Sequence, residues 1–341
     1  PSLVKDVNKV PSGEIKYVTS LNDEIYFQGY DDYKGSELWK SDGTEEGTVI
    51  VKDIREGLVS SSPSNLVKFG EYIYFSASNG SNGVELWKSD GTESGTVMVK
   101  DIKSGSYGSL DSFVGSSKFV AIGNILFFPA DNGTNGYELW RSDGTTDGTY
   151  MVKDIYAGSS SGVNPNNVGK NLVVINGILY FPGNSSSGSG LWRSDGTTDG
   201  TYLVSSASSN LTNFVDYNGN LLFRANSSQL WKSDGTESGT VMIKDIDINP
   251  DFSTFIDTIF VSGLTIYMSG DDGYHGSELW KSDGTTEGTV MIKDINKNDD
   301  YSDSSSFPGN FVNFNGATYF VANEPEHGLE LWKTDGTESG T

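Results

Sequence analysis

Every tryptophan in this chain stands in one repeated motif, and that regularity constrains the fold more than any other feature. The seven residues are Trp39, Trp87, Trp140, Trp192, Trp231, Trp280 and Trp332. Around them the chain reads ELWKSDGTEEGTVIVKDI, then ELWKSDGTESGTVMVKDI, then ELWRSDGTTDGTYMVKDI, with recognisable copies downstream. A repeat of about 40 to 50 residues marks an array whose unit is too small to bury its own faces and must stack on its neighbours.

One unit resolves into four short strands. In the second copy, Asn65–Phe69 is followed by a Gly70-Glu71 turn and by the aromatic, β-branched run Tyr72-Ile73-Tyr74-Phe75. A Gly/Ser/Asn loop leads to Glu85-Leu86-Trp87-Lys88, and the turn Ser89-Asp90-Gly91-Thr92 leads to Val97-Met98-Val99-Lys100. The first hairpin recurs with Asn176-Gly177, Asn218-Gly219 and Asn315-Gly316, pairs that accept positive φ and close tight hairpins. Seven such units predict an all-β fold, a seven-bladed β-propeller with four antiparallel strands per blade. The Trp of the third strand is the natural wedge between blades. The expected blades cover about 13–54, 61–102, 110–155, 166–205, 211–246, 254–295 and 308–341, the last with 1–7 added.

That addition follows from the chain ends. The last copy stops at Glu338-Ser339-Gly340-Thr341, before a fourth strand, and Leu3-Val4-Lys5-Asp6-Val7 carries that strand's pattern. The N-terminal segment is expected to complete the seventh blade and close a single propeller domain, leaving no strand edge at the seam. A start at Pro1 reads as a processed product or the ordered part of a longer chain.

Composition narrows the function classes. A net charge of −23 repels nucleic acid and anionic membrane surfaces. The absence of cysteine removes disulfides, thiolate metal sites and cysteine nucleophiles. No stretch approaches the roughly 18 apolar residues of a membrane-spanning helix.

The Ser-Asp-Gly-Thr turn places Asp42, Asp90, Asp143, Asp195, Asp234, Asp283 and Asp335 at equivalent positions. These read as structural: Asp accepts backbone N–H bonds and Gly takes positive φ. A repeated ligand or metal site is the alternative, but a site needed once has no reason to recur in every blade. Lys-Asp pairs such as Lys52-Asp53 and Lys293-Asp294 end the fourth strand and are expected to guard an outer edge. Blade four departs from the pattern, with Gly190 in place of Glu and Val204-Ser205-Ser206 in place of Lys-Asp, and blade five is shortened.

The ELW-x-SDGT-xx-GT-xxx-KD pattern resembles the ELWxxDGT repeat family, and the match covers nearly the whole chain. The resemblance implies a secreted or surface-associated propeller protein. The family's His-Gly before ELW is matched by His275-Gly276 and His327-Gly328, so both histidines are repeat residues. The turn also looks like the Asp-box hairpin of sialidase propellers, with the aromatic residue before the Asp instead of after it.

Nothing in the sequence marks an active site. A Ser–His–Asp triad would need one of the two repeat histidines. Sialidase chemistry needs converging arginines, and the chain has only Arg55, Arg141, Arg193 and Arg224. No carboxylate pair stands out among the 46 acidic residues. No cofactor is expected, calcium being the one candidate.

The loops joining strands two and three, and those joining successive blades, share one face and vary in sequence. That arrangement reads as a non-catalytic extracellular or cell-surface recognition and adhesion module for a protein or glycan ligand. A building block of an extracellular filament, sheath or surface layer, self-associating through its outer surfaces, is the second reading. A polysaccharide-active enzyme is the third. Acidic clusters on the same loops make Asp31, Asp32, Asp271, Asp272, Asp299 and Asp300 candidate calcium ligands. Asn79, Asn132, Asn184, Asn210 and Asn226 are candidate N-glycosylation acceptors, all in variable loops and no more numerous than composition alone gives.

Overall fold

A computed structural model describes residues 3–6, 15–110, 119–164, 171–206, 209–249, 251, 254–297 and 304–341. Among the described residues every regular element is a strand, and the 27 strands found there form seven consecutive antiparallel sheets, the blades of a seven-bladed β-propeller. Six sheets have four strands in simple chain order, and the last has three.

Blade 2 shows how the sequence builds each sheet. Its strands are β5 (Ser64–Phe69), β6 (Tyr72–Ser78), β7 (Val84–Ser89) and β8 (Val97–Lys100). Phe69 pairs with Tyr72 across the first hairpin, and Phe75 pairs with Trp87 across the next. A register shift between Leu86 and Trp87 puts a bulge opposite β8, and the same shift recurs at Leu38/Trp39, Leu139/Trp140, Leu191/Trp192, Leu230/Trp231 and Leu279/Trp280. Bulges of this kind increase local twist. At Asn176-Gly177 both residues take positive φ, 51° and 76°, the geometry of a tight hairpin whose twist suits its strands.

The chain divides into two compact units. The first holds blades 1 to 3, together with Gly183–Ser187 and Asp195–Thr201 from blade 4; the second holds the rest of blade 4 and blades 5 to 7. In both, the core lies between successive blades. In the first unit, Tyr26, Leu38, Val51 and Ile54 of blade 1 pack against Leu66, Phe75, Ala77 and Trp87 of blade 2. In the second, Leu222, Leu230 and Ile243 of blade 5 pack against Ile256, Met268 and Trp280 of blade 6. Alternation along each strand produces this: one set of side chains faces the next blade, and the set carrying Trp faces the previous one.

The seam differs from expectation. Residues 1, 2 and 7 lie outside the described residues, as do 111–118 and 166–170 at the starts of blades 3 and 4. Leu3–Asp6 forms no strand, and the seventh sheet, β25 (Gly309–Phe314), β26 (Ala317–Glu324) and β27 (Gly328–Thr334), has three strands among the described residues. Lys5 nonetheless donates to the carbonyls of Glu45 and Thr48 at 3.0 and 2.8 Å. Lys52 in blade 1 makes the matching bond to Thr96 of blade 2 at 2.9 Å. Lys5 therefore meets blade 1 as the Lys of a fourth strand meets its neighbouring blade.

Candidate recognition face

Two sets of repeat residues hold the loops, and a third holds the turns at the opposite strand ends. In the Ser-Asp-Gly-Thr turn, Asp42 Oδ1 accepts the Thr44 N–H at 2.9 Å and its hydroxyl at 2.7 Å. The equivalent bonds occur at Asp90, Asp143, Asp195, Asp234, Asp283 and Asp335. Those two donors hold the Asp42 carboxyl below the usual carboxylate range. The side chain is thus committed to its own turn.

The turn is also a joint. Lys88 Nζ donates to the Gly144 carbonyl of the next blade at 2.8 Å, and Arg141 Nη1 to that of Gly196 at 3.0 Å. The Lys of the Lys-Asp pair does the same five residues further on: Lys100 reaches Thr149 O and Lys153 reaches Thr201 O, both at 2.6 Å. The edge-guarding role expected for these lysines is therefore replaced by an inter-blade bond. Their long stems lie along the neighbour and place the ammonium where orphan turn carbonyls need a donor.

On the loop side, the stretches joining strands two and three differ in sequence and share one backbone device. Asn79 Oδ1 accepts the N–H groups of Ser81 and Asn82, both at 3.0 Å. Asn132 does so for Thr134 and Asn135, and Asp272 for Tyr274 and His275. In blade 7 the Glu324 carboxylate takes the N–H groups of Glu326 and His327. Asn, Asp and Glu serve the same end here because each accepts two successive amides, Asn and Asp on one oxygen and Glu324 on its two. Asn82 and Asn135 then donate to Asp101 and Asp154, the acids of their Lys-Asp pairs, at 2.7 and 2.9 Å.

The loops between blades are held by a residue not singled out from the sequence, the Glu of ELW. Glu37, Glu85, Glu138 and Glu278 are fully buried. Glu85 accepts the N–H groups of Ile102, Lys103 and Ser109 at 3.2, 3.2 and 3.0 Å, and the Ser109 hydroxyl at 2.5 Å. Glu37 serves Ile54 and Ser61, Glu138 serves Ile155, Tyr156 and Gly162, and Glu278 serves Ile295 and Ser306. Burial pushes all four carboxyls up to about 7, against the downward pull of these donors. Gly190 and Gln229 replace Glu in blades 4 and 5, and Gln229 Oε1 instead accepts the Trp231 indole N–H at 3.0 Å. Glu two residues before Trp in five of the seven copies, Glu330 included, was the available signal.

On these pinned loops large side chains stand in solvent. Tyr33 is 79% exposed and Tyr274 58%, both in loops joining strands two and three. Tyr107 is 76% exposed and Phe307 61%, both in loops between blades, where Leu58 and Ile248 are exposed too.

The acidic candidates are distributed differently. Asp271 and Asp272 are buried, accepting the N–H groups of Gly273, and of Tyr274 and His275, while Asp272 Oδ2 meets His275 Nδ1 at 2.9 Å. Asp31 Oδ1 accepts the Tyr33 N–H at 2.8 Å, and Asp32 is exposed. Asp299 and Asp300 lie outside the described residues. Among the described residues no three His, Cys, Asp or Glu side chains come together as a metal-holding group. Asn79 and Asn132 spend their amide nitrogens on Asn82 and Asn135, Asn184 is half-buried, and Asn210 and Asn226 are exposed.

No family model matches the chain, and no curated protein matches it. Among solved structures, it is similar to the computationally designed Ika8 protein at 12% identity and a TM-score of 0.48, covering 96% of this chain and 86% of that one. It is similar to a puromycin hydrolase at 10% identity and a TM-score of 0.39, covering 99% and 55%. It is similar to a prolyl endopeptidase at 10% identity and a TM-score of 0.44, covering 96% and 47%. The chain thus spans about half the length of those two hydrolases.

Proposed function

We propose that the chain is a non-catalytic extracellular recognition module, binding a protein or glycan ligand through its loop side. One observation carries the reading: aromatic side chains stand largely in solvent on loops whose backbones are fixed from beneath. Tyr33 and Tyr274 sit on turns closed by Asp31 and Asp272, and Tyr107 sits on the loop held by buried Glu85. Exposed tyrosines supply large contact area at small entropic loss, and a loop already ordered loses little more on binding. Varied side chains on one common frame suit a platform whose specificity changes while its scaffold does not.

Catalysis has no part in this proposal, because the ionisable repeat residues are committed to turns and loops. Both histidines direct Nδ1 at the carboxylate of their own turn, Asp272 and Glu324. The test is a glycan array together with affinity capture from extracellular material, repeated with Tyr33→Ala and Tyr107→Ala combined in the first unit and, separately, with Tyr274→Ala in the second. Selective, saturable binding that weakens about tenfold or more in one of these variants is the expected result. Unaltered binding by both variants, or turnover of a polysaccharide panel, would overturn the proposal.

A further inference from the structure

The joint between blades 6 and 7, wholly within the second unit, departs from its siblings and opens a polar cavity of about 310 Å³. Ser262, Tyr267, Asn313, Ala317, Thr318 and Asp335 shape it. It lies at the hairpin ends of the strands, away from the loops of the proposed recognition side.

Three substitutions within the repeat create the space. Ser262 ends β21 (Phe255–Ser262), pairing with Thr265 across the hairpin. The same position in the other six blades holds Leu21, Phe69, Ile122, Ile175, Tyr217 and Phe314. Thr318 stands where the siblings have Ile25, Ile73, Leu126, Leu179, Leu221 and Ile266, and Ala317 where they have Glu24, Tyr72, Ile125, Ile178, Asn220 and Thr265. Ser262 and Thr318 replace residues that are aliphatic or aromatic in all six siblings, and Ala317 replaces a larger side chain.

The new hydroxyls are organised. Asn313 Oδ1 accepts from Ser262 Oγ and from Thr318 Oγ1, both at 2.9 Å. Thr318 is 3% exposed, in a place where five of its six siblings are packed hydrocarbon and the sixth, Ile25, is exposed. Asp335 takes the Thr337 N–H and hydroxyl on Oδ1, as in every sibling turn, which holds its carboxyl below the usual carboxylate range at the cavity's edge.

We infer that this cavity binds one neutral sugar unit. No lining residue is cationic, the nearby Lys281 ammonium is spent on the Gly336 carbonyl at 2.7 Å beside the Asp335 carboxylate, and the chain as a whole repels anions. An apolar ligand would desolvate a wall of hydroxyls, amide and carboxylate and return no hydrogen bond. An amine would meet a single carboxylate. Sugar hydroxyls both donate and accept, as the wall of hydroxyls, amide and carboxylate requires. The volume is at the small end of ligand cavities, which run roughly from 300 to 1,000 Å³, and so admits one ring.

The test is a calorimetric and NMR titration with glucose, galactose, mannose, fucose and N-acetylglucosamine, with methylamine as a charged control. At least one sugar is expected to bind saturably. Ser262→Phe and Thr318→Ile restore sibling residues and should weaken that binding roughly tenfold or more without lowering Tm. Asn313→Ala, at an exposed position, removes the shared acceptor and keeps the test alive should a filled variant misfold. Absence of saturable binding by every sugar, or affinity unchanged in all three variants, overturns the inference. So does tighter binding of methylamine than of any sugar, or loss of binding in Tyr33→Ala instead of the cavity variants.

Discussion

At the scale of single residues, the turn glycines show how one amino acid answers two demands. Gly43 and Gly91 occupy equivalent turns with φ of 90° and 89°. A Cβ on Gly43 would meet nothing within 4 Å, whereas one on Gly91 would lie 2.2 Å from the Tyr26 hydroxyl of the preceding blade. Gly43→Ala is expected to lose about 1–2 kcal/mol from backbone strain alone. Gly91→Ala should lose about 1–3 kcal/mol more, because Tyr26 is buried and must move. Denaturant unfolding of the two variants checks this, and equal losses would count against the joint. The need for positive φ was legible in the sequence at both positions. The contact with Tyr26 was not, because its partner lies 65 residues earlier.

At the scale of an element, each loop between blades in the Glu-bearing repeats depends on one carboxyl group. Glu85→Ala would leave three amides without their acceptor, each worth about 1–3 kcal/mol when buried. Glu85→Gln keeps one acceptor oxygen and should fall between that variant and the parent. The pH dependence follows from the raised carboxyls of Glu37, Glu85, Glu138 and Glu278, at about 7 in the fold against a reference of 4.5. Between those values the folded chain holds more protons than the unfolded one, so this contribution is complete below 4.5 and disappears as pH rises through 7. The turn carboxyls of Asp42, Asp90 and Asp143 are lowered instead, so their contribution is lost only as pH falls below the ordinary Asp range. Thermal melting should therefore show a higher Tm near pH 5 than near pH 8, with a shallower slope in Glu85→Gln. A Tm that rises over that interval contradicts the account.

At the scale of the whole molecule, the repeat lysines are spent as local joints, and the acidic excess of −23 remains as a long-range field. Like charge at this density opposes the compact state, and salt shortens the reach of that repulsion from about 30 Å at 0.01 M to about 8 Å at 0.15 M. Raising sodium chloride across that range should raise Tm in a scanning-calorimetry series. A flat response would mean the carboxylates are compensated locally.

The sequence by itself determined the number of blades, the strand order within each and the chemistry of the hairpins and Asp turns. Those are local properties, written within about ten residues and repeated often enough to be unmistakable. Only the tertiary structure decided what the repeat residues touch. The buried Glu clamps, the lysines reaching the next blade and the hydroxyl-lined space under Ser262 and Thr318 join residues from 17 to 56 positions apart. The reason is physical: alternation along a strand says which side chains leave one face, whereas their partners are set by how the next sheet is stacked against it.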